Sequence, residues 1–183
     1  YPANDNRERL YSIGKHDGNL QLVVKLHPHG LGSGYLNNLE VGSIIKARII
    51  QNPAFHLPKK VSKVAMISNG TGIAPFLGML EQNRQKTEIH LYCGFRTETE
   101  TVSAHKKFAN EMMEKRQLQS FHLALSRGTD HHYVMDLIQQ DAAFFLDLLQ
   151  KGGIIMICGS LAMQKDVETI LGELLVQTNS SIS

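Results

Sequence analysis

The sequence lacks most of the features that would fix a class at once. It has only two cysteines, Cys93 and Cys158, far apart in 183 residues. They make neither a disulfide framework nor a Cys-x-x-Cys metal pair, which points to a reducing compartment. No apolar run approaches the roughly 20 residues that a membrane helix needs. No basic-then-apolar leader opens the chain. The resulting expectation is a cytoplasmic protein, or the cytoplasmic side of a membrane-anchored parent. Charge of one sign is also missing. The 19 basic and 17 acidic residues leave a net charge of +2, with no basic stripe, which argues against a nucleic-acid surface. Nine histidines are present, but only His27/His29 and His131/His132 lie close together. Without cysteine or carboxylate partners at ligand spacing, no metal site is expected. The start, Tyr1-Pro2-Ala3-Asn4, has no Met and reads as the middle of a longer chain.

What is present is an ordinary globular balance, with 42% hydrophobic and 20% charged residues, enough to bury a sizeable core. The character changes near residue 60. Before it, Leu20 to Leu26 and Ile44 to Ile50 are rich in β-formers. Between them, Gly30-Leu31-Gly32-Ser33-Gly34 marks a backbone that turns sharply or approaches something closely. Asn52 to Lys60 carries two prolines and reads as a connector. After it, strands alternate with helices. Strands are expected at Val64–Ile67, Ile89–Cys93, Phe121–Leu125 and Ile154–Cys158. Helices are expected at Phe76–Asn83, Ala104–Arg116, Tyr133–Gln140, Ala142–Gln150 and Leu161–Val176. Phe108, Met112 and Met113 form the expected apolar side of the second of these. Such alternation implies right-handed crossovers and a parallel sheet covered on both faces. Residues 178–183 form a polar end.

Three segments carry chemistry. Ser68-Asn69-Gly70-Thr71-Gly72-Ile73-Ala74-Pro75 follows a buried strand and opens a helix. Glycine allows a tight turn and close ligand approach, and the helix start favours an anion such as phosphate. Pro75 suits a first helical turn. No Gly-Lys-Ser/Thr follows, so this is not a Walker loop, and an ordinary tight turn is the other reading. Met156-Ile157-Cys158-Gly159-Ser160 puts a cysteine at the carboxyl end of a strand, where α/β ligands sit, or else buries a small core residue. Arg9-Leu10-Tyr11-Ser12-Ile13 reads from physics alone as plain strand surface.

In this order the segments resemble the ferredoxin–NADP⁺ reductase family, in the diflavin branch that includes sulfite reductase flavoproteins and P450 reductases. Arg9-x-Tyr11-Ser12 and Gly30-Leu31-Gly32-Ser33-Gly34-Tyr35-Leu36 look like its flavin segments. Phe55-His56-Leu57-Pro58 resembles its interdomain link. Gly70-Thr71-Gly72-Ile73-Ala74-Pro75 looks like its nicotinamide-nucleotide turn. Ser126-Arg127 with Tyr133-Val134 resembles its adenosine-phosphate grip, and Cys158-Gly159 with Met163-x-Lys165-Asp166-Val167 resembles its last block. The resemblance implies a Rossmann-like α/β domain at 61–183, preceded by part of an antiparallel FAD-binding β-barrel at 1–60. It implies FAD and NADPH as cofactors, with hydride passing to FAD and electrons leaving to a flavodoxin-like FMN domain or similar carrier. Arg9 would hold the flavin pyrophosphate, Tyr11 would stack on the isoalloxazine and Ser12 would bond near N5. Gly30 and Ser33 would meet flavin phosphates. Gly70, Thr71 and Gly72 would cradle the nucleotide pyrophosphate with Arg96 nearby. Ser126, Arg127 and Tyr133 would grip the adenosine end, and Cys158 with Gly159 would flank the nicotinamide. Ser12 and Cys158 are the expected catalytic pair.

The chain departs from the family pattern in several places. Ser68-Asn69 stands where Gly-Pro is usual, Ser160 where Asp is usual, and His131 and Met135 where the grip has Lys and Gln. No aromatic follows Phe145, and only eight residues precede Arg9, so weak flavin retention is expected. The alternatives are an NADH-linked flavodoxin or ferredoxin reductase and a non-catalytic nucleotide-binding module. The latter would need the phosphate turn but neither Ser12 nor Cys158.

Overall fold

A computed structural model describes residues 7–16, 18–129 and 131–180. The opening Tyr1 to Asn4 and residues 181–183 of the polar end lie outside them. Four parallel strands form the central sheet: β3 (Lys63–Asn69), β4 (Glu88–Phe95), β5 (Ser120–Leu125) and β6 (Ile154–Cys158). Their order is β5-β4-β3-β6. β3 is buried along its middle, from Val64 to Ser68, as a strand covered on both faces must be.

Two apolar layers cover the sheet. On one face lie α2 (Ala74–Glu81) and α3 (Glu100–Glu114), burying Phe76, Leu80 and Met112 against Val64, Met66 and Leu91. On the other lie α4 (Val134–Gln140), α5 (Ala142–Gln150) and α6 (Leu161–Ser180), where Ile138, Phe145 and Val167 meet Ala65, Ile67 and Tyr92. The expected strand–helix alternation is therefore present, with elements longer or shifted by a few residues. On α3 the buried side is Val102, His105, Ala109 and Met112, while Phe108 and Met113 are only partly buried. Among the described residues, no helix is long and apolar enough to cross a membrane.

The first sixty residues differ more from expectation. A short antiparallel pair, β1 (Ile13–His16) and β2 (Asn19–Leu22), replaces the longer strand expected at Leu20 to Leu26. The ladder ends at the Ile13–Leu22 pair because β1 ends there, and Val23 to Leu26 have no partner strand among the described residues. Ile44 to Ile50 form no strand at all, with Ile44 95% and Ile49 63% exposed. β-propensity without a neighbouring strand gives no ladder. Gly30 to Gly34 do not make a bare turn but run into a short helix, α1 (Leu31–Asn37). The Ser33 hydroxyl closes it, donating to the Gly30 carbonyl (3.2 Å) and accepting from the His27 N–H (3.1 Å). The close approach expected there is present, since a Cβ on Gly32 would lie 2.5 Å from Arg9 Cδ.

β1 reaches the carboxyl-end side of the central sheet by lying flush on α2. A Cβ on Gly14 would strike the Ala74 carbonyl, and one on Gly78 would come 2.5 Å from the Lys15 nitrogen. Two glycines facing each other let the backbones touch. This contact carries the Arg9 to Ser12 segment to the carboxyl ends of β3 and β6.

Candidate active site

β3 and β6 are neighbours, but the chain leaves them in opposite directions. β3 feeds α2 on one face of the sheet and β6 feeds α6 on the other. The diverging connections leave a crevice at the strands' carboxyl ends, the usual ligand position in such sheets.

The turn after β3 is a 3₁₀ segment, Gly70–Ile73, leading directly into α2 with Pro75 in its first turn. Gly70 sits at φ +53° with open space where a Cβ would be, a conformation glycine takes without penalty. Gly72 is different: a Cβ there would strike the Cys158 carbonyl and lie 3.0 Å from Gly159 Cα. No acidic residue occupies the first turn of either helical segment, so their positive end meets no competing carboxylate there.

Cys158 ends β6 half-buried, and Ser12 lines the same cleft. Burial pushes this thiol above its ordinary range, and Ser12 only partly offsets that. The sulfur therefore stays protonated at neutral pH, a neutral and polarizable group rather than a thiolate nucleophile. Cys93, wholly buried and bonded to the Ser68 hydroxyl at 3.2 Å, is pushed up to about 12 by burial. It takes no part in the crevice.

A cleft of about 1600 Å³ runs from this crevice across the face of the first sixty residues. Arg9, Tyr11, Ser12, Gly30 and Ser33 line one side. Gly70, Thr71, Gly72, Cys158 and Gly159 line its centre, and Arg96, Ser126 and Tyr133 its far end. Arg127 alone among the expected site residues lies outside the lining, exposed, with its N–H donated to the Arg96 carbonyl at 2.7 Å. Arg9 Nη1 donates to the Arg7 carbonyl at 2.6 Å.

Among the described residues, charge in the lining is mostly positive. Arg7, Arg9, Lys25 and Arg96 contribute cations, with His27, His29 and His132 beside them. Among the described lining residues the one carboxylate, Glu8, is held by Arg48 at 2.6 Å, and that hydrogen bond keeps its acid below the ordinary range. Such a cleft favours phosphate groups. Sequence reasoning missed Arg7, Lys25 and His132, which carry no motif of their own. It placed Asn69 and Ser160 within chemistry-bearing segments but gave neither a role beyond a departure from the family pattern, although both line the cleft. Among the described residues, no cluster of three or more His, Cys, Asp or Glu is placed to hold a metal ion.

The sheet order, the glycine turn and the cysteine at the switch point together define a nucleotide-binding α/β domain. Residues 66–169, more than half of the chain, match the oxidoreductase NAD-binding domain family, and the chain belongs to that family. It is 32% identical to a nitric oxide synthase of Anopheles stephensi, over 94% of this chain and 16% of the relative. It is 31% identical to the sulfite reductase [NADPH] flavoprotein alpha-component of Buchnera aphidicola, over 91% of this chain and 31% of the relative. The chain thus spans less than a third of these relatives. A ferredoxin–NADP⁺ reductase structure from Plasmodium falciparum with 2′P-AMP shares the fold at a TM-score of 0.66 and 22% identity, over 93% of this chain and 74% of that one.

Proposed function

We propose that the chain is part of an FAD-dependent reductase that takes hydride from NADPH and passes electrons to a flavodoxin-like FMN domain or similar carrier. Residues 61–183 are the nicotinamide-nucleotide domain and residues 1–60 the trailing part of the flavin domain. One observation carries this reading. The Arg9-Leu10-Tyr11-Ser12 segment and the Gly70-Thr71-Gly72 turn line the same cationic cleft, with Cys158 lining it beside them. One of the named relatives is a sulfite reductase [NADPH] flavoprotein component.

The residues fit two dinucleotides. Arg9 and the Gly30 to Ser33 turn suit the flavin phosphates, with Tyr11 offering a ring for stacking. Gly70 leaves open space at the turn, and the first N–H groups there suit a pyrophosphate. When bound, the nicotinamide and flavin supply the hydride chemistry. The protein holds the two rings together at the crevice. Ser12 and the protonated Cys158 give it a polar but uncharged lining, so neither ring meets a fixed charge there. Alignment of donor and acceptor is where the rate arises.

The NADH-linked alternative draws its support from Arg127, which stands outside the cleft lining. Calorimetric titration of the chain with NADP⁺ and NAD⁺, repeated on Arg127→Ala, separates the two. NADP⁺ is expected to bind about tenfold tighter than NAD⁺, the scale of one charged phosphate contact, and Arg127→Ala to remove that preference. Equal affinities insensitive to Arg127→Ala would favour NADH, and binding of neither nucleotide would overturn the proposal.

A further inference from the structure

Asn69 and Ser160 stand 91 positions apart, at the carboxyl ends of adjacent strands, and their side chains and backbone interlock. Asn69 Nδ2 donates to Ser160 Oγ at 3.1 Å, while Asn69 Oδ1 accepts the Ser160 N–H at 2.9 Å. The amide oxygen also fills the space a Cβ on Gly159 would need. Ser160 precedes α6, and its Oγ accepts the Met163 N–H at 3.3 Å, as an N-cap does.

These contacts fix the direction of one hydrogen atom. A serine oxygen has two lone pairs and one proton to donate. Asn69 and Met163 occupy both lone pairs of Ser160, and the hydroxyl has no acceptor among the described residues. Its O–H must then point away from both donors. Ser160 lines the cleft and is exposed there, one residue beyond Gly159 and two beyond Cys158.

Building on the nucleotide reading above, we propose that the Ser160 hydroxyl is a directed donor to an acceptor oxygen on the nicotinamide-ribose half of the dinucleotide, and that Asn69 is the positioning residue that aims it. Each polar atom of the Asn69 amide makes one bond to Ser160, and it is through this pair of bonds that Asn69 aims the hydroxyl; the double variant below separates this role from a direct contact by the remaining N–H. The clasp also ties the phosphate turn to the end of β6, so the donor keeps one distance from the pyrophosphate site.

The test is calorimetric titration of the chain with NADP⁺ and with adenosine 2′,5′-bisphosphate, which lacks the nicotinamide half. Ser160→Ala is expected to weaken NADP⁺ about threefold to tenfold, the worth of one hydrogen bond. Binding of the bisphosphate should stay within about twofold. Ser160→Thr, which keeps the hydroxyl, should retain NADP⁺ affinity. Asn69→Ala should weaken NADP⁺ to the same extent, and the double variant should lose no more than Ser160→Ala alone, because the pair acts as a unit. Unchanged NADP⁺ affinity in Ser160→Ala, an equal loss for both ligands, or additive losses in the double variant would each overturn the inference. If the wild-type chain bound neither ligand, the nucleotide reading itself would fail.

Discussion

His105 lies in the apolar side of α3 between Val102 and Ala109, 5% exposed, with its ring 5.9 Å from that of Phe95. Its Nε2 is buried without a hydrogen-bond partner among the described residues. An unpaired buried polar atom costs about 1–3 kcal/mol. His105→Leu removes that cost, and imperfect fit of the new side chain returns up to about 1.5 kcal/mol. The net expectation at pH 7.5 is a gain of about 1 kcal/mol, or roughly 2–4 °C in melting temperature for a chain of this size. Acid enlarges the difference. Burial lowers the His105 pKa from its ordinary 6.5, so below that pH the unfolded chain binds a proton that the folded chain refuses. The wild-type protein then loses stability as pH falls from 6.5 toward the folded pKa, by up to about 1.4 kcal/mol per pH unit from this group. The leucine variant has no such contribution. The chain contains no tryptophan, so urea unfolding is best followed by far-UV circular dichroism at several pH values between 7.5 and 5. Parallel stability curves for the two proteins, with no gain at pH 7.5, would refute the reasoning and mean that Nε2 is satisfied.

Gly72→Ala drives a Cβ into the Cys158 carbonyl. It should cost more than about 2 kcal/mol and weaken NADP⁺ binding, as read by thermal melting and calorimetry; a variant melting like wild type would contradict the close approach. His122 stacks on Tyr92 at 4.3 Å and meets Ser120 Oγ at 2.7 Å. Burial lowers its pKa from 6.5, with Asp141 opposing and His90 adding to the effect. Its contribution is therefore present above pH 6.5 and lost as pH falls through the folded value. His122→Phe should flatten the acid decline in urea midpoint, and an unchanged decline would exclude His122 as a source. Asn83 is buried and spans a turn, donating to the Thr87 and Gln117 carbonyls at 2.8 and 2.9 Å and accepting the Thr87 N–H at 2.9 Å. Asn83→Ala should cost about 2–3 kcal/mol in chemical denaturation, and a loss below 1 kcal/mol would show that water replaces these bonds.

The central sheet is legible in the sequence because its strands are nearly uniform apolar runs, and a run such as Ile154 to Cys158 has few other ways to be buried. Ile44 to Ile50 look equally strand-like by composition. Propensity, however, describes one chain segment, whereas a ladder needs two. His105 is missed for a related reason. Counting it as polar rotates the apparent apolar side of α3 toward Phe108 and Met113, although the spacing of 102, 105, 109 and 112 is the better helical stripe. At the site, residue type reveals the glycine turn and Cys158, but cannot say which glycine serves which neighbour. Gly70 faces open space at φ +53°, whereas the missing side chain of Gly72 makes room for the end of β6. The Gly14–Gly78 contact does the same for β1 and α2. A glycine read as space for a ligand is therefore as often space for another stretch of backbone, and here the two uses depend on each other. The turn can line the cleft beside Ser12 and Cys158 only because Gly72 and Gly78 first allow β6 and β1 to close in around it.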